Sequence, residues 1–370
     1  MKYYFIAGEA SGDLHASKVI AHLTTLDLTA KMQGVGGNLM EDAGMTLTEH
    51  YKNTSFMGFV EVLKNLPTIF DLFARIKKDI LQFKPDVLIL VDYPGFNLRI
   101  AEWAFKQNIK VHYYISPQIW AWKESRIHKI KAFIDSMFVI LPFEKEFYQK
   151  WDYNVDFVGH PLIDEIHERS FLSESEFNAK HNLPNKPIIA LLPGSRGQEI
   201  SRVLPILLTV CGKFKAHQFI IAGAPHIEGK FYETIIKNQS VKVIVDDTYN
   251  LLNQSVAALV TSGTATLETA LFKVPQIVCY KGNSLSYQIG KKLIKVKYIS
   301  LVNLIMDELV VAELIQDDLN TERLVEELEL LIYQESKIQK LQDKYIELID
   351  KLGNQGASKK TAELIYAALV

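Results

Sequence analysis

Short runs in which β-branched and aromatic residues follow one another with few polar interruptions recur along the chain, alternating with longer stretches whose apolar positions return every three or four residues. Runs of the first kind predict strands buried on both faces, the longer stretches predict amphipathic helices, and their alternation predicts parallel βαβ construction. In the first half the predicted strands are residues 3–7, 86–91, 110–114 and 136–140, with helices over 13–23 and 66–83. A polar, helix-like stretch over 164–181 and a turn at 183–187 lead into a second series, with strands at 188–192, 218–222, 241–245, 257–261 and 276–280. The same kind of unit therefore starts twice, and the join falls near residues 160–187. After about Asp307 the pattern reads as purely helical, and residues 321–350 carry apolar positions at helical spacing among acids and lysines. A break at Gly353-Asn354-Gln355-Gly356 precedes a last helix over 358–369, expected to return to the first unit.

Length agrees with two units, since 370 residues exceed what one hydrophobic core usually organises. With 48% hydrophobic and 23% charged residues the composition is globular, and a formal net charge of −2 gives nucleic acid no basic footprint to bind. Cys211 and Cys279 both lie in apolar contexts and read as buried thiols in a reducing compartment. After a few apolar residues the start of the chain meets Gly8 and Glu9, unlike a secretory signal, and no apolar stretch is long enough to span a bilayer. The expected place is the cytoplasm or a membrane surface.

Candidate chemistry gathers where predicted strands give way to helices. Leu191-Leu192-Pro193-Gly194-Ser195-Arg196-Gly197 ends an apolar strand in a glycine-bounded loop carrying one arginine. Backbone N–H groups at a helix start together with a guanidinium suit a diphosphate, and the same residues also make an ordinary strand-to-helix turn. Thr261-Ser262-Gly263-Thr264-Ala265-Thr266-Leu267-Glu268 repeats the pattern: Ser262, Thr264 and the loop amides suit phosphate oxygens, while Glu268 either holds ribose hydroxyls or complements the positive helix end. Ala7-Gly8-Glu9-Ala10-Ser11-Gly12-Asp13 brings Glu9 to the carboxyl end of the first strand, with Ser11 or Asp13 as candidate helix caps. Val91-Asp92-Tyr93-Pro94-Gly95-Phe96-Asn97 delivers Asp92 to a similar edge, as a general base or as a turn former.

These motifs, with Phe56-Met57-Gly58-Phe59-Val60-Glu61-Val62, Tyr114-Ile115-Ser116-Pro117-Gln118-Ile119-Trp120-Ala121-Trp122, Leu141-Pro142-Phe143-Glu144 and Phe157-Val158-Gly159-His160-Pro161, occur in an order and spacing that resembles the lipid-A-disaccharide synthase family. The resemblance covers nearly the whole chain. It implies a family 19 glycosyltransferase of the GT-B fold, an α/β architecture of two Rossmann-like parallel-sheet domains facing across a cleft, with closing helices at the C-terminus. The implied division is an acceptor-side domain at 1–163, a UDP-sugar domain at 164–345 and a crossing helix within 346–370. The implied reaction is that of an inverting hexosyltransferase in lipid A biosynthesis, joining UDP-2,3-diacylglucosamine to 2,3-diacylglucosamine 1-phosphate (lipid X) and releasing UDP. By motif, Asp92 matches the acid acting as base, Arg196 with Gly194 and Ser195 the diphosphate contact, and Ser262, Gly263, Thr264, Glu268 and Asn303 the donor side. Glu9, Ser11 and Gly12 match the substrate loop. The match departs from the family pattern at Ala10, where Thr is often expected, and at Tyr93-Pro94-Gly95, where Ala-Pro-Asp is expected.

No cofactor or metal is implied, since the chain has no DxD acid pair and its histidines show no ligand spacing; His160 reads as support for the turn before Pro161. The implied partners are UDP-diacylglucosamine, lipid X and the inner-membrane surface, without nucleic acid and with a homodimer as an allowed assembly. For acyl or membrane contact the candidates are Phe56, Met57, Phe59, Val60 and Leu63, a segment that also reads as a buried core helix. Lys123, Arg126, Lys129 and Lys131, and Lys291, Lys292, Lys295 and Lys297, form basic clusters suited to solvent, to lipid headgroups or to the lipid X phosphate. Two other classes fit parts of the pattern. A UDP-sugar 2-epimerase shares the fold and diphosphate loops without needing an apolar membrane segment, and a non-catalytic nucleotide-sugar binder would keep Arg196 and Glu268 without needing Asp92.

Overall fold

The computed structural model describes residues 1–53, 66–237, 239–283, 287 and 296–370. They form two compact units: Met1–Glu165 together with Leu352–Val370, and Ile166–Lys351.

The first unit is built on β1 (Lys2–Ala7), β2 (Lys31–Gly36), β3 (Thr46–His50), β4 (Val87–Val91), β5 (Lys110–Tyr114), β6 (Ser136–Val139) and β7 (Asp156–Phe157), in the spatial order β3-β2-β1-β4-β5-β6-β7. Every pairing is parallel. Burial on both faces explains the uninterrupted apolar character of β1 and β4. Tyr3, Phe5 and Ala7 pack on one side with Ala16, Val19, Ile20 and Leu23 of α1 (Ala10–Leu26). Tyr4 and Ile6 pack on the other with Leu72, Phe73, Ile76 and Ile80, which share one face of a helix over Leu66–Phe83.

The second unit repeats the plan with β8 (Ile188–Leu192), β9 (Gln218–Gly223), β10 (Lys242–Val245), β11 (Ser255–Thr261), β12 (Gln276–Tyr280) and β13 (Ala312–Ile315), ordered β10-β9-β8-β11-β12-β13 and again wholly parallel. In each sheet the strand order reverses once, between β1 and β4 in the first and between β8 and β11 in the second. At such a reversal the two following loops part to opposite faces and leave a crevice outside the carboxyl ends of the strands.

Two elements differ from the sequence expectation. The stretch after Asp307 is not purely helical, because Ala312–Ile315 pairs with β12 as the edge strand β13. Residues 164–181 are not one helix. A helix over Pro161–His167 stops, and a second over Glu174–His181 starts at Ser173, which accepts from the Glu176 amide while the Glu176 carboxylate takes the Ser173 amide at 2.9 Å. That reciprocal cap nucleates a new helix and fixes the break.

The chain's last helix (Ala357–Ala367) belongs to the first unit, where Ala362 and Ile365 join the core beside α1. Asp164, buried, fastens its start by accepting from Gly356 N at 2.6 Å and Ser358 N at 3.3 Å. Those amides are orphan donors of a helix N-terminus, and a carboxylate satisfies them with favourable charge. Asp164→Ala is expected to lower the unfolding free energy by about 1–3 kcal/mol. Urea denaturation followed by tryptophan fluorescence reads the shift, and an unchanged midpoint would remove this clamp from the account.

Candidate functional site

At the reversal in the first sheet, β1 ends at Ala7 and α1 begins at Ala10, while β4 ends at Val91 and the next helix (Pro94–Lys106) begins after a gap of two residues. Asp92 and Tyr93 fill that gap with φ of 45° and 50°, two successive left-handed residues that are not glycine. Such backbone is unfavourable and persists only where the surroundings over-determine it. Here the Asp92 amide donates to Tyr114 O at 3.0 Å, and the Asp92 carbonyl accepts from Asn97 Nδ2 at 2.7 Å and from the Tyr113 hydroxyl. Asn97, fully buried, also donates to Val91 O at 3.2 Å. Pro94, with no N–H to leave unpaired, opens the helix.

Held this way, the Asp92 side chain is half-buried, and its pKa is pushed up from the ordinary carboxylate range to about 6. Burial is the largest cause, the negative charge of Glu9 adds to it, and a hydrogen bond from the Tyr93 amide opposes both. Gly8 makes the close approach possible, because a Cβ there would stand 2.3 Å from the Tyr93 ring. Gly12 is buried where α1 lies on β1, its place for a Cβ only 3.2 Å from Ala7 Cβ. Ser11 is exposed at the start of α1, and neither it nor Asp13 caps that helix. Asp13 instead reaches the start of a short helix over Asn38–Asp42, accepting from Gly37 N at 2.7 Å and Met40 N at 3.1 Å.

At the reversal in the second sheet, the loops after β8 and β11 line one cavity of about 450 Å³. Gly194, Ser195 and Arg196 come from the first loop, and Ser262, Gly263, Thr264 and Glu268 from the second. Seven of the donor-side residues expected from the sequence thus share a wall within one unit. Gly194 has φ of 109° and passes so close to Glu199 that a Cβ would lie 2.8 Å from its carboxylate. Arg196 starts the helix over Gly197–Leu207, and its guanidinium donates to Glu199 at 3.0 Å, largely exposed to solvent. The Ser262 hydroxyl donates to Ile299 O at 2.8 Å, so that proton is not available to a ligand while this bond holds. Thr264 is exposed at the first turn of its helix, and Glu268, one turn on, accepts from the Tyr249 hydroxyl at 3.1 Å.

Asn303 is not in that wall. Fully buried, it donates to Val311 O at 2.9 Å and to Glu313 at 2.8 Å, while its own carbonyl accepts from Val310 N and Val311 N. Glu313 in turn accepts from Ile299 N and Ser300 N, so Asn303 braces from behind the turn on which Ser262 rests. The cavity also contains residues not singled out from the sequence: Glu199, Gly223 to His226 at the end of β9 and beyond, and Thr248. Their signal was the glycine and proline of Gly223-Ala224-Pro225 directly after an apolar strand, a third break of the kind that marked the other two loops.

Phe56, Met57, Phe59, Val60 and Leu63, and the basic residues Lys291, Lys292 and Lys295, lie outside the described residues. His160 is buried, accepts from Leu162 N through Nδ1 and is held neutral, its pKa lowered to about 3 chiefly by burial. Cys279 is buried, whereas Cys211 is only half-buried, closing a short turn of 3-10 helix. Among the described residues no cluster of His, Cys, Asp or Glu is placed to hold a metal ion, and no helix is long and apolar enough to cross a membrane.

Comparison with known proteins agrees in extent with the two-unit architecture. Solved structures of similar fold include a UDP-GlcNAc 2-epimerase from Neisseria meningitidis bound to UDP-GlcNAc, with a TM-score of 0.71, 15% identity and coverage of 99% of this chain and 100% of that one. The glycotransferase of kitacinnamycin follows with a TM-score of 0.67 at 12% identity, covering 100% and 99%. At such identities the likeness carries the fold alone. Lipid-A-disaccharide synthases are far more similar: that of Syntrophus aciditrophicus (strain SB) is 38% identical over 96% of this chain and 95% of its own length, and that of Nitrosococcus oceani 39% identical over 98% and 95%. The family model for lipid-A-disaccharide synthetase matches residues 3–368, and the chain belongs to that family.

Proposed function

We propose that this chain transfers the sugar of UDP-2,3-diacylglucosamine, with inversion, to 2,3-diacylglucosamine 1-phosphate, forming a β-1,6-linked disaccharide and releasing UDP. The observation that supports it most is the division of chemistry between the two strand-order reversals. One carries an acid of raised basicity, Asp92, and the other a cavity lined by glycine loops and Arg196.

In this reading the acceptor's primary hydroxyl oxygen attacks the anomeric carbon from the face opposite UDP, and its proton passes to the Asp92 carboxylate. The bond from the anomeric carbon to the diphosphate oxygen breaks, and its electron pair leaves with UDP. Growing negative charge is met by the amides of the Gly194 and Gly263 loops and by Arg196, whose fork Glu199 orients. Glu268 takes ribose hydroxyls, with one carboxylate oxygen held by Tyr249. Glu9 keeps Asp92 basic, Ser11 offers its hydroxyl to the acceptor, and Asn303 positions the Ser262 loop rather than touching UDP. Because both substrates carry acyl chains, the enzyme works as a peripheral protein at the cytoplasmic surface of the inner membrane.

The purified chain incubated with the two lipid substrates is expected to yield disaccharide and UDP; epimerisation of UDP-GlcNAc, or binding without turnover, would overturn the proposal. Asp92→Asn is expected to reduce kcat by at least about 100-fold with UDP affinity nearly intact, whereas Arg196→Ala weakens UDP binding by about tenfold as well. Isothermal titration with UDP beside steady-state kinetics separates the two, and an active Asp92 variant would remove that residue as base. In the wild type, kcat/KM is expected to fall about tenfold per pH unit below about 6, where Asp92 becomes protonated.

The same raised pKa makes a prediction about stability. Asp92 resists ionisation in the folded chain more than in the unfolded one, so folding carries a penalty that is full above about pH 6 and disappears as pH falls toward 4. Asp92→Asn, whose side chain also tolerates left-handed backbone, is expected to be more stable than wild type by about 1–3 kcal/mol at pH 8 and equal to it near pH 4. Urea unfolding at the two pH values checks this, and equal stability at pH 8 would mean that the carboxylate bears no such penalty.

A further inference from the structure

Of the four basic residues that follow Trp120-Ala121-Trp122, two are tied to other parts of the first unit. Lys129 pairs with Glu102 at 2.9 Å, and Lys131 donates to Trp151 O. The other two lie over one indole: Lys123 Nζ is 4.4 Å from the centroid of the Trp122 ring, and the Arg126 guanidinium 5.4 Å. An aromatic face attracts a cation without cancelling its charge, as a carboxylate would. Trp122 therefore holds two positive groups close together and leaves both charges to act on a third party. Trp122 is itself 45% exposed, and Lys123 holds a left-handed conformation with φ of 54°.

The turn that carries this cluster is anchored from beneath. Trp120 donates from Nε1 to the buried Glu144 at 3.2 Å, and Ser116 and Tyr148 share a hydrogen bond of 2.6 Å. It follows β5, the immediate neighbour of the strand that delivers Asp92. The two are joined through Tyr113, which donates to Asp92 O; burial first and the Asp92 charge next push its hydroxyl well above the usual phenol range, and the nearby Arg126 charge only partly opposes them.

We propose that Lys123 and Arg126, held on Trp122, form a phosphate monoester site at the Asp92 edge, and that it selects the acceptor by its 1-phosphate. This inference rests on the glycosyl-transfer reading and adds to it a specificity-determining pair. Two cations suit a dianionic monoester, and the donor's phosphates already have the loops of the second unit. The pair acts on binding of the acceptor, not on the proton transfer, so its removal shows in KM.

The test compares 2,3-diacylglucosamine 1-phosphate with its phosphate-free analogue in micelles of a neutral detergent. For the wild type the phosphorylated acceptor is expected to have the higher kcat/KM. In Lys123→Gln/Arg126→Gln that preference is expected to fall by about tenfold or more, through KM for the phosphorylated acceptor with kcat little changed. Lys123→Arg, which keeps the charge, is expected to retain the preference, and it serves as the folded control if the double variant is unstable, paired with the single change Arg126→Gln. An unchanged preference in the Gln variants overturns the proposal. So does a defect seen only on vesicles containing phosphatidylglycerol, which would assign the cations to lipid headgroups. Absence of disaccharide from the wild type with either acceptor would instead remove the glycosyl-transfer reading itself.

Discussion

A parallel sheet that grows outward from its first strand in both directions must send its connections to both faces, and at the point of reversal no connection covers the carboxyl ends of the strands. That constraint organises both halves of this chain. The loops after β1 and β4 in one unit, and after β8 and β11 in the other, are the places where backbone amides and side chains stand at a sheet edge without a crossover above them. Asp92 and Glu9 occupy one reversal; Gly194, Arg196, Ser262 and Thr264 occupy the other. Opposite chemistries on the same architecture follow from which residues the two loops carry, an acid pair in the first and donors in the second.

The strands adjoining each reversal were legible in the sequence for the same reason. β1, β4, β8 and β11 lie inside their sheets, both faces are covered, and each reads as an almost unbroken apolar run. Strands nearer the edges were legible only in part: β10, at the edge of the second sheet, is expected at 241–245, whereas β2, β3 and β13 are not. β2 carries two glycines within Lys31–Gly36, β3 is polar over Thr46–His50 with no buried residue, and β13 includes the acid Glu313. At an edge the neighbours cover less of the strand, so the unbroken apolar run of an interior strand is not required there. Glu313 illustrates the cost of that silence: an acid that looked like part of a charged helical tail is the anchor of Asn303 and of the turn behind Ser262.

Within the site, residues whose role depends on backbone position were easier to read than those whose role depends on partners. Gly194 and Asp92 could be placed because a glycine or an acid ending an apolar strand marks the loop that follows, even where it also suits a plain turn. By contrast, Asp13 looks like a cap for its own helix and serves another, Asn303 looks like a ligand contact and is sealed inside a turn, and Glu199 gives no sign of gripping Arg196. Each of these depends on a fold contact between residues that sequence spacing does not relate, or on a choice between two partners equally near in sequence.

The fold alone would not separate this chain from UDP-GlcNAc 2-epimerases, to which its architecture is similar at 15% identity. One such epimerase is bound to UDP-GlcNAc and the transfer proposed here also takes a UDP-sugar, so the loops proposed for the donor discriminate poorly between them. The discriminating physics lies at the other reversal. A carboxylate with a pKa of about 6 is ionised at neutral pH yet holds a proton far better than an ordinary aspartate, which suits the role of base proposed for Asp92. Burial and the like charge of Glu9 raise that pKa, and two left-handed residues pinned by Asn97 and Tyr113 carry the side chain. Each of these is unfavourable for folding, and together they would be hard to explain in a turn whose only task was to reverse the chain.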